Sequence, residues 1–172
     1  MDTEQLRAIQ RPIKDRYRSD PEAALITLRA DGRLDGQEIA CSVDTGRALV
    51  EAGLHPASGG TGTLACSGDM LLQALVACAG VTLRSVATSL EIPVTGTVSA
   101  EGDLDFRGTM GVADDGEAPV GFRAIRLIFE LEAHATEEQL ATLMRLTERY
   151  CVVYQTLAGG VPVRVLYGSD GG

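Results

Sequence analysis

Met70–Leu90, MLLQALVACAGVTLRSVATSL, decides how the rest of the chain is read. Leu71, Leu75, Cys78, Thr82 and Ser85 recur at helical spacing, and Leu72, Val76, Ala79 and Val86 widen the stripe until little polar surface remains. The pattern predicts a helix that has to be buried, with a cysteine at its centre. That thiol is either inert packing or a reactive group held where water is scarce. The run is long enough for a bilayer, but Gln73, Arg84 and several Thr, Ser and Gly residues interrupt it, so the expectation is the core helix of a soluble protein.

Upstream, Ala24–Ala30 (ALITLRA) and Glu38–Val43 (EIACSV) read as a hairpin across the Gly-containing turn Asp31–Gly36, with Cys41 inside the second strand. Arg47–Val50 is expected as a third short strand. Residues 1–20 form an arm: Leu6, Ile9 and Ile13 share a helical face, Pro12 interrupts it, and packing on a neighbour is the expected role. The Gly-, Ser- and Thr-rich stretch Ala52–Asp69 reads as a loop. Gly59, Gly60 and Gly62 lack the Lys-Ser/Thr of a phosphate-binding loop, which argues against nucleotide. Ser67 or Asp69 is expected to cap the helix that follows.

Downstream, Ile92–Phe106 reads as one bent strand or two short ones, broken by Gly96 and Gly102, and Arg107–Gly121 as a flexible excursion. Phe122–Ala133 shows a clear period of two, Ile125, Leu127, Phe129 and Leu131 against Arg126, Glu130 and Glu132, and predicts a half-exposed antiparallel strand. Thr136 and Gln139 spell a capping box. Leu140, Leu143, Met144, Thr147, Cys151 and Tyr154 continue as one inward helical stripe up to Gly159-Gly160. Val161–Tyr167 (VPVRVLY) reads as a closing strand, and residues 168–172 as a mobile tail. No internal repeat is evident. Helices separated from hairpins predict a single α+β domain over 1–172, with antiparallel sheets packed around two main helices.

The totals exclude several functions. With 24 acidic against 15 basic side chains the net charge is -9, which repels phosphate backbones and anionic lipid, so neither nucleic acid nor membrane is an expected partner. The polar start, MDTEQLRAIQRPIKDRYRSD, carries no secretory pattern, and a cytoplasmic protein is expected. The cysteines at 41, 66, 78 and 151 show no CxxC, and with His55 and His134 no metal-ligand spacing. In a reducing compartment they read as free thiols or a catalytic pair.

Cys78 and Cys151 lie on the inward stripes of the two main helices and can meet if those helices pack. If they do, an oxidised Cys78 is open to attack by Cys151, giving a disulfide that an external thiol reduces. The competing reading is two core cysteines, since free Cys is among the most buried residue types. A mid-helix sulfur gains nothing from its own helix dipole, so a reactive Cys78 needs a favourable neighbour. Cys66 reads as a bystander, Glu148 and Arg149 as a solvated face, Tyr154 as packing, and Arg84 as turned away from Cys78.

LLQALVACAGVTLR, preceded by a GGTGT loop, and the later LTERYCVVYQTL together resemble the OsmC/Ohr family of osmotically inducible and organic hydroperoxide resistance proteins. The resemblance runs from about Ala24 to Val165. It implies an OsmC-like fold, an intertwined homodimer with the long helices between sheets, and cysteine-based reduction of organic hydroperoxides without metal or other cofactor. An external dithiol or lipoyl-type reductant is implied. By that resemblance Cys78 attacks the peroxide and Cys151 resolves the product. The family places a Glu near the start of the central helix, orienting an Arg that stabilises the thiolate. The nearest match to the Glu is Asp69, one methylene shorter, and Arg47 in TGRALVEAG and Arg33 in ADGRLDG are both in order for the Arg. The Pro that usually follows the resolving cysteine is Val152 here. These departures keep open a second reading, a redox sensor or small apolar ligand-binding protein without efficient turnover.

Overall fold

The apolar run becomes α2, Ser67–Ser89, in a computed structural model that describes residues 2–19, 31–33, 40–44, 49–111 and 115–167. Its buried stripe is Leu75, Ala79, Leu83 and Ala87, each four residues after the last. The opposite stripe stays open: Val81 is 72% exposed, and Ala74 and Ala77 are exposed with it. Neither expected side chain caps α2. Cys66 is the N-cap and makes no side-chain cap bond, which leaves Ser67 as the first helical residue and Asp69 in the first turn, near the positive end of the dipole.

The C-terminus of α2 closes on a left-handed residue that is not glycine. Glu91 has φ 59, the Glu91 amide donates to the Thr88 carbonyl, and the Ile92 amide reaches back to the Ala87 carbonyl at 2.9 Å. This is a Schellman closure, completed by Ile92 and Ala87 meeting in the core. A β-carbon in that conformation is strained, so Glu91→Gly is expected to stabilise the fold by about 1 kcal/mol, read as a raised thermal midpoint.

Before α2 come α1 (Thr3–Ser19), β1 (Asp31–Arg33), β2 (Ala40–Asp44), β3 (Leu49–Gly53), a 3-10 turn at Pro56–Ser58 and β4 (Ala65–Cys66). Helix α1 runs through Pro12 rather than breaking there: proline removes one amide donor, and the good helix formers around it carry the turn. The Thr3 hydroxyl donates to the Thr88 carbonyl at 2.8 Å, tying α1 to the end of α2. Strands β1 to β4 form a sheet in that order, antiparallel except for a short parallel pairing of Ala52 with Ala65 and Gly53 with Cys66. Asp31–Arg33 is therefore strand and not turn. Pairing with Ser42–Asp44 overrides a composition that by itself favours a turn. The expected strand Ala24–Ala30 and the tail 168–172 lie outside the described residues.

After α2 come β5 (Val94–Leu104), α3 (Phe106–Thr109), β6 (Phe122–Ala133), α4 (Glu137–Tyr150) and α5 (Val152–Gly159). Strand β5 is continuous and pairs with β6 along its length. On the wet face Arg126 donates to Glu101 at 3.0 Å and to Asp103 at 2.9 Å, which pins the register across the strands. Val94, Ile92, Leu83, Ala87 and Leu143 form the core, with Phe129 and Leu131 of β6 packed against it. The stretch after β5 includes α3, which Asp105 caps by accepting from the Arg107 amide.

Two expectations about the C-terminal third are corrected. The single long helix is two, because Cys151 adopts extended backbone (φ -75, ψ 108) between α4 and α5. The capping box of Thr136 and Gln139 is present as expected. Val161–Tyr167 is not a strand: no described strand of this chain pairs with it, and Val163, Val165 and Leu166 are 83%, 76% and 92% exposed.

Candidate functional site

The α4 stripe Leu143, Thr147 and Cys151 is fully buried and advances four residues at a time, as the α2 stripe does. The two seams pack, and Thr147, the one polar member, is satisfied by donating to the Leu143 carbonyl at 2.8 Å. Cys78 borders the α2 seam beside fully buried Ala79, and its sulfur meets the α4–α5 junction. There the Cys151 thiol, the amides of Val152 and Val153, and the hydroxyl of Thr82 one turn further along α2 are the groups that act on its charge.

These contacts separate the two thiols. Burial pushes Cys78 up, but the Val153 amide, the Cys151 thiol, the Val152 amide and the Thr82 hydroxyl together outweigh it, and Cys78 is held below the ordinary thiol range. Burial also pushes Cys151 up. The Tyr154 and Val153 amides pull against that, but the contact with Cys78 and its charge hold Cys151 above the ordinary range. The pair is thus biased in opposite directions, Cys78 toward thiolate and Cys151 toward thiol. The assistance that a mid-helix sulfur lacks from α2 comes from the start of a different helix. Sequence reading missed these amides because the stripe runs through Cys151 without a Gly or Pro. The one signal was in the resemblance, since a Pro after the second cysteine is a residue typical of a first helical position.

The other candidates fall elsewhere. Asp69 precedes Cys78 by nine residues, about 14 Å of helical rise and half a revolution. It lines a polar recess of about 380 Å³ at the start of α2, together with His55, Cys66, Asp103, Phe106 and Phe122. His55 accepts from the Ala57 amide at 3.0 Å and stacks on Phe106 with ring centroids 4.8 Å apart, so it is neither a free surface group nor a neighbour of Cys78. Cys66 lies about 18 Å of helical rise from Cys78, too far to bridge to it within one chain. Arg47 lies outside the described residues, as do the side chains of Arg33 and Cys41. Arg84 donates to the Val94 carbonyl at 2.7 Å, a backbone partner rather than an acid. Among the described residues no group of three His, Cys, Asp or Glu side chains could hold a metal.

An apolar groove of about 320 Å³ runs between α2, α5 and β6. Leu75, one turn before Cys78, and Tyr154, one turn after Cys151, form part of its wall, with Phe122, Ile125, Leu127 and Leu157. Arg123, more than half exposed and 3.7 Å from Asp105, is the charged residue in that wall. Neither sulfur lines the groove; its wall comes within one helical turn of each cysteine in sequence, at Leu75 and Tyr154.

Solved structures share this architecture. The chain superposes on an OsmC-like protein from Mycoplasma pneumoniae with a TM-score of 0.65 at 16% identity, covering 78% of this chain and 89% of that one. It is similar to an organic hydroperoxide resistance protein from Elizabethkingia anophelis (TM-score 0.58, 19% identity, 79% and 91% covered). It is also similar to the organic hydroperoxide resistance protein OsmC of Legionella pneumophila (TM-score 0.56, 15% identity, 78% and 91% covered). None of the curated proteins matches it. At these identities the structural likeness establishes the fold alone. The sequence itself matches the family model described as OsmC-like protein over residues 60–165, from the Gly-rich approach to α2 through both cysteines and on into the C-terminal segment. The chain therefore belongs to the OsmC-like protein family.

Proposed function

We propose that this protein is a thiol-dependent reductase of organic hydroperoxides. One observation carries the reading: Cys78 and Cys151 are in contact across the α2–α5 junction, with Cys78 biased toward thiolate and Cys151 toward thiol. The Cys78 sulfur attacks the terminal oxygen of the hydroperoxide and the O–O bond breaks. The alcohol leaves with a proton from solvent, and Cys78 becomes a sulfenic acid. Cys151 then gives up its proton and attacks the Cys78 sulfur, expelling water and closing the disulfide. An external dithiol, of lipoyl type by family resemblance, returns two electrons and restores both thiols. The apolar groove fits the alkyl part of such a substrate.

The same proposal places the protein in the cytoplasm as a homodimer. The uncovered apolar stripe of α2 at Ala74, Ala77 and Val81, and the unpaired segment Val161–Tyr167, are the surfaces a second copy would cover.

The test is oxidation of the fully reduced chain with one equivalent of cumene hydroperoxide. Two thiols should disappear, and digestion should yield a Cys78–Cys151 linked peptide. Excess dithiol should then sustain turnover. A disulfide that forms once and is not recycled makes the protein a sensor instead, and thiols left reduced after peroxide overturn both readings.

A further inference from the structure

The groove between α2, α5 and β6 is apolar except at two side chains. Leu75, Ile125, Leu127 and Leu157 supply hydrocarbon, and Arg123 and Tyr154 supply polar groups that can both donate. Among the described residues, no Asp, Glu or His lines it. The acid paired with Arg123 is already engaged: Asp105 accepts from Arg107 Nε at 3.1 Å, from Arg107 Nη2 at 2.7 Å and from the Arg107 amide at 3.1 Å. Arg123 stands 3.7 Å from the same carboxylate, beyond hydrogen-bond length. Neither its guanidinium nor the Tyr154 hydroxyl makes a hydrogen bond among the described residues. Arg126, the next basic residue of β6, is by contrast spent on Glu101 and Asp103.

We propose that this groove binds a single-chain carboxylate, its alkyl chain along Leu75, Ile125, Leu127 and Leu157 and its head group on the Arg123 guanidinium. A volume of about 320 Å³ lies at the lower end of the range for ligand pockets, roughly 300–1,000 Å³, and suits one alkyl chain rather than the two of a membrane phospholipid. Charge selects the head group. A net charge of -9 repels anions from the surface at large, so an anion settles only where positive charge is local and its donors are free, as at Arg123. A planar guanidinium meets a carboxylate as a fork, through two parallel N–H···O bonds. A phosphate monoester brings about two charges to a wall that holds one cation, and a cationic head group meets Arg123 with like charge. For a hydroperoxide carried on such a chain, Arg123 is a specificity residue, and that extension rests on the proposed function; the binding itself does not.

The experiment is calorimetric titration of the reduced full chain, near neutral pH, with octanoate, octanol, octyltrimethylammonium and octyl phosphate, each kept below the concentration at which it aggregates. The wild type should bind octanoate about tenfold more tightly than octanol, and the ammonium most weakly. Arg123→Gln should bring octanoate down to the level of octanol while octanol binds as before, and Arg123→Glu should reverse the order of octanoate and the ammonium. Ala158→Phe, which fills the groove from α5, should weaken octanoate and octanol together. If a variant does not fold, the order of the ligands on the wild type decides alone. Equal affinity for octanoate and octanol, a preference for octanoate that survives Arg123→Gln, or tighter binding of octyl phosphate than of octanoate overturns the proposal. So does the absence of all binding, and a change of oligomeric state in Ala158→Phe would then give the groove to a second copy. Turnover of cumene hydroperoxide, which has no carboxylate, keeps the two readings apart. A wild type that prefers octanoate but reduces no cumene hydroperoxide keeps this site and loses the proposed function; one that reduces it without preferring octanoate does the reverse.

Discussion

Cys78→Ser is expected to bring hydroperoxide reduction down to the uncatalysed rate, a fall of about three orders of magnitude or more in initial rate with a dithiol reductant. A serine hydroxyl in the same place meets the same amides but does not ionise near neutrality, and its oxygen has no route to a sulfenic acid. Cys151→Ser behaves differently. The first oxidation survives, because the attacking sulfur is intact, and the product stops at the sulfenic acid of Cys78, which dimedone traps and mass spectrometry detects. Recycling then depends on direct attack by the external thiol. Cys66→Ser, at the far end of α2, should leave the rate unchanged. If Cys78→Ser turns over as fast as the wild type, the chemistry lies elsewhere, and the recess holding Cys66, His55 and Asp69 becomes the place to look.

What could be read from the chain before its structure was what local spacing controls. The α2 helix, the alternation of β6 and the Thr136–Gln139 box each depend on residues within a few turns of one another and all three are present, but the buried seam of α2 is Leu75, Ala79, Leu83 and Ala87, and of the expected stripe Leu71, Leu75, Cys78, Thr82 and Ser85 only Leu75 is fully in it. The two cysteines were legible as inward-facing, and the family resemblance paired them. Their activation was not legible, because it depends on a helix break that no Gly or Pro marks: Cys-Val-Val continues the α4 stripe in sequence while the backbone leaves helical geometry. Asp69 is the converse case within one chain. Its place near the start of α2 satisfied the family order, but nine residues of helix turn it to the opposite side from Cys78. Val161–Tyr167 has the composition of a strand, but no described strand of this chain pairs with it.

Leu143→Ala should be the most destabilising single truncation in the core and should disturb the thiols through it. Leu143 is fully buried, in a cluster with Leu83 and Ala87 of α2 and Ile92 and Val94 beyond it. Removing three carbons there loses their burial and leaves a void between two helices whose seams are otherwise close-packed, at a cost of about 2–5 kcal/mol. Against a typical total of about 5–15 kcal/mol, that is enough to lower the thermal midpoint by many degrees. The consequence extends beyond stability because Leu143, Thr147 and Cys151 form one stripe. Thr147 bonds back to the Leu143 carbonyl, and Cys151 follows one turn later as the start of α5. Loosening α4 against α2 at Leu143 should therefore also loosen the register in which α5 presents its first amides to Cys78. The expected signature is double: denaturant unfolding at a lower midpoint, and slower disulfide formation after one equivalent of peroxide at temperatures where the variant is still folded. A variant that loses stability but closes the disulfide at the wild-type rate would show that the junction is held by α5 and β6 without help from the α4 seam.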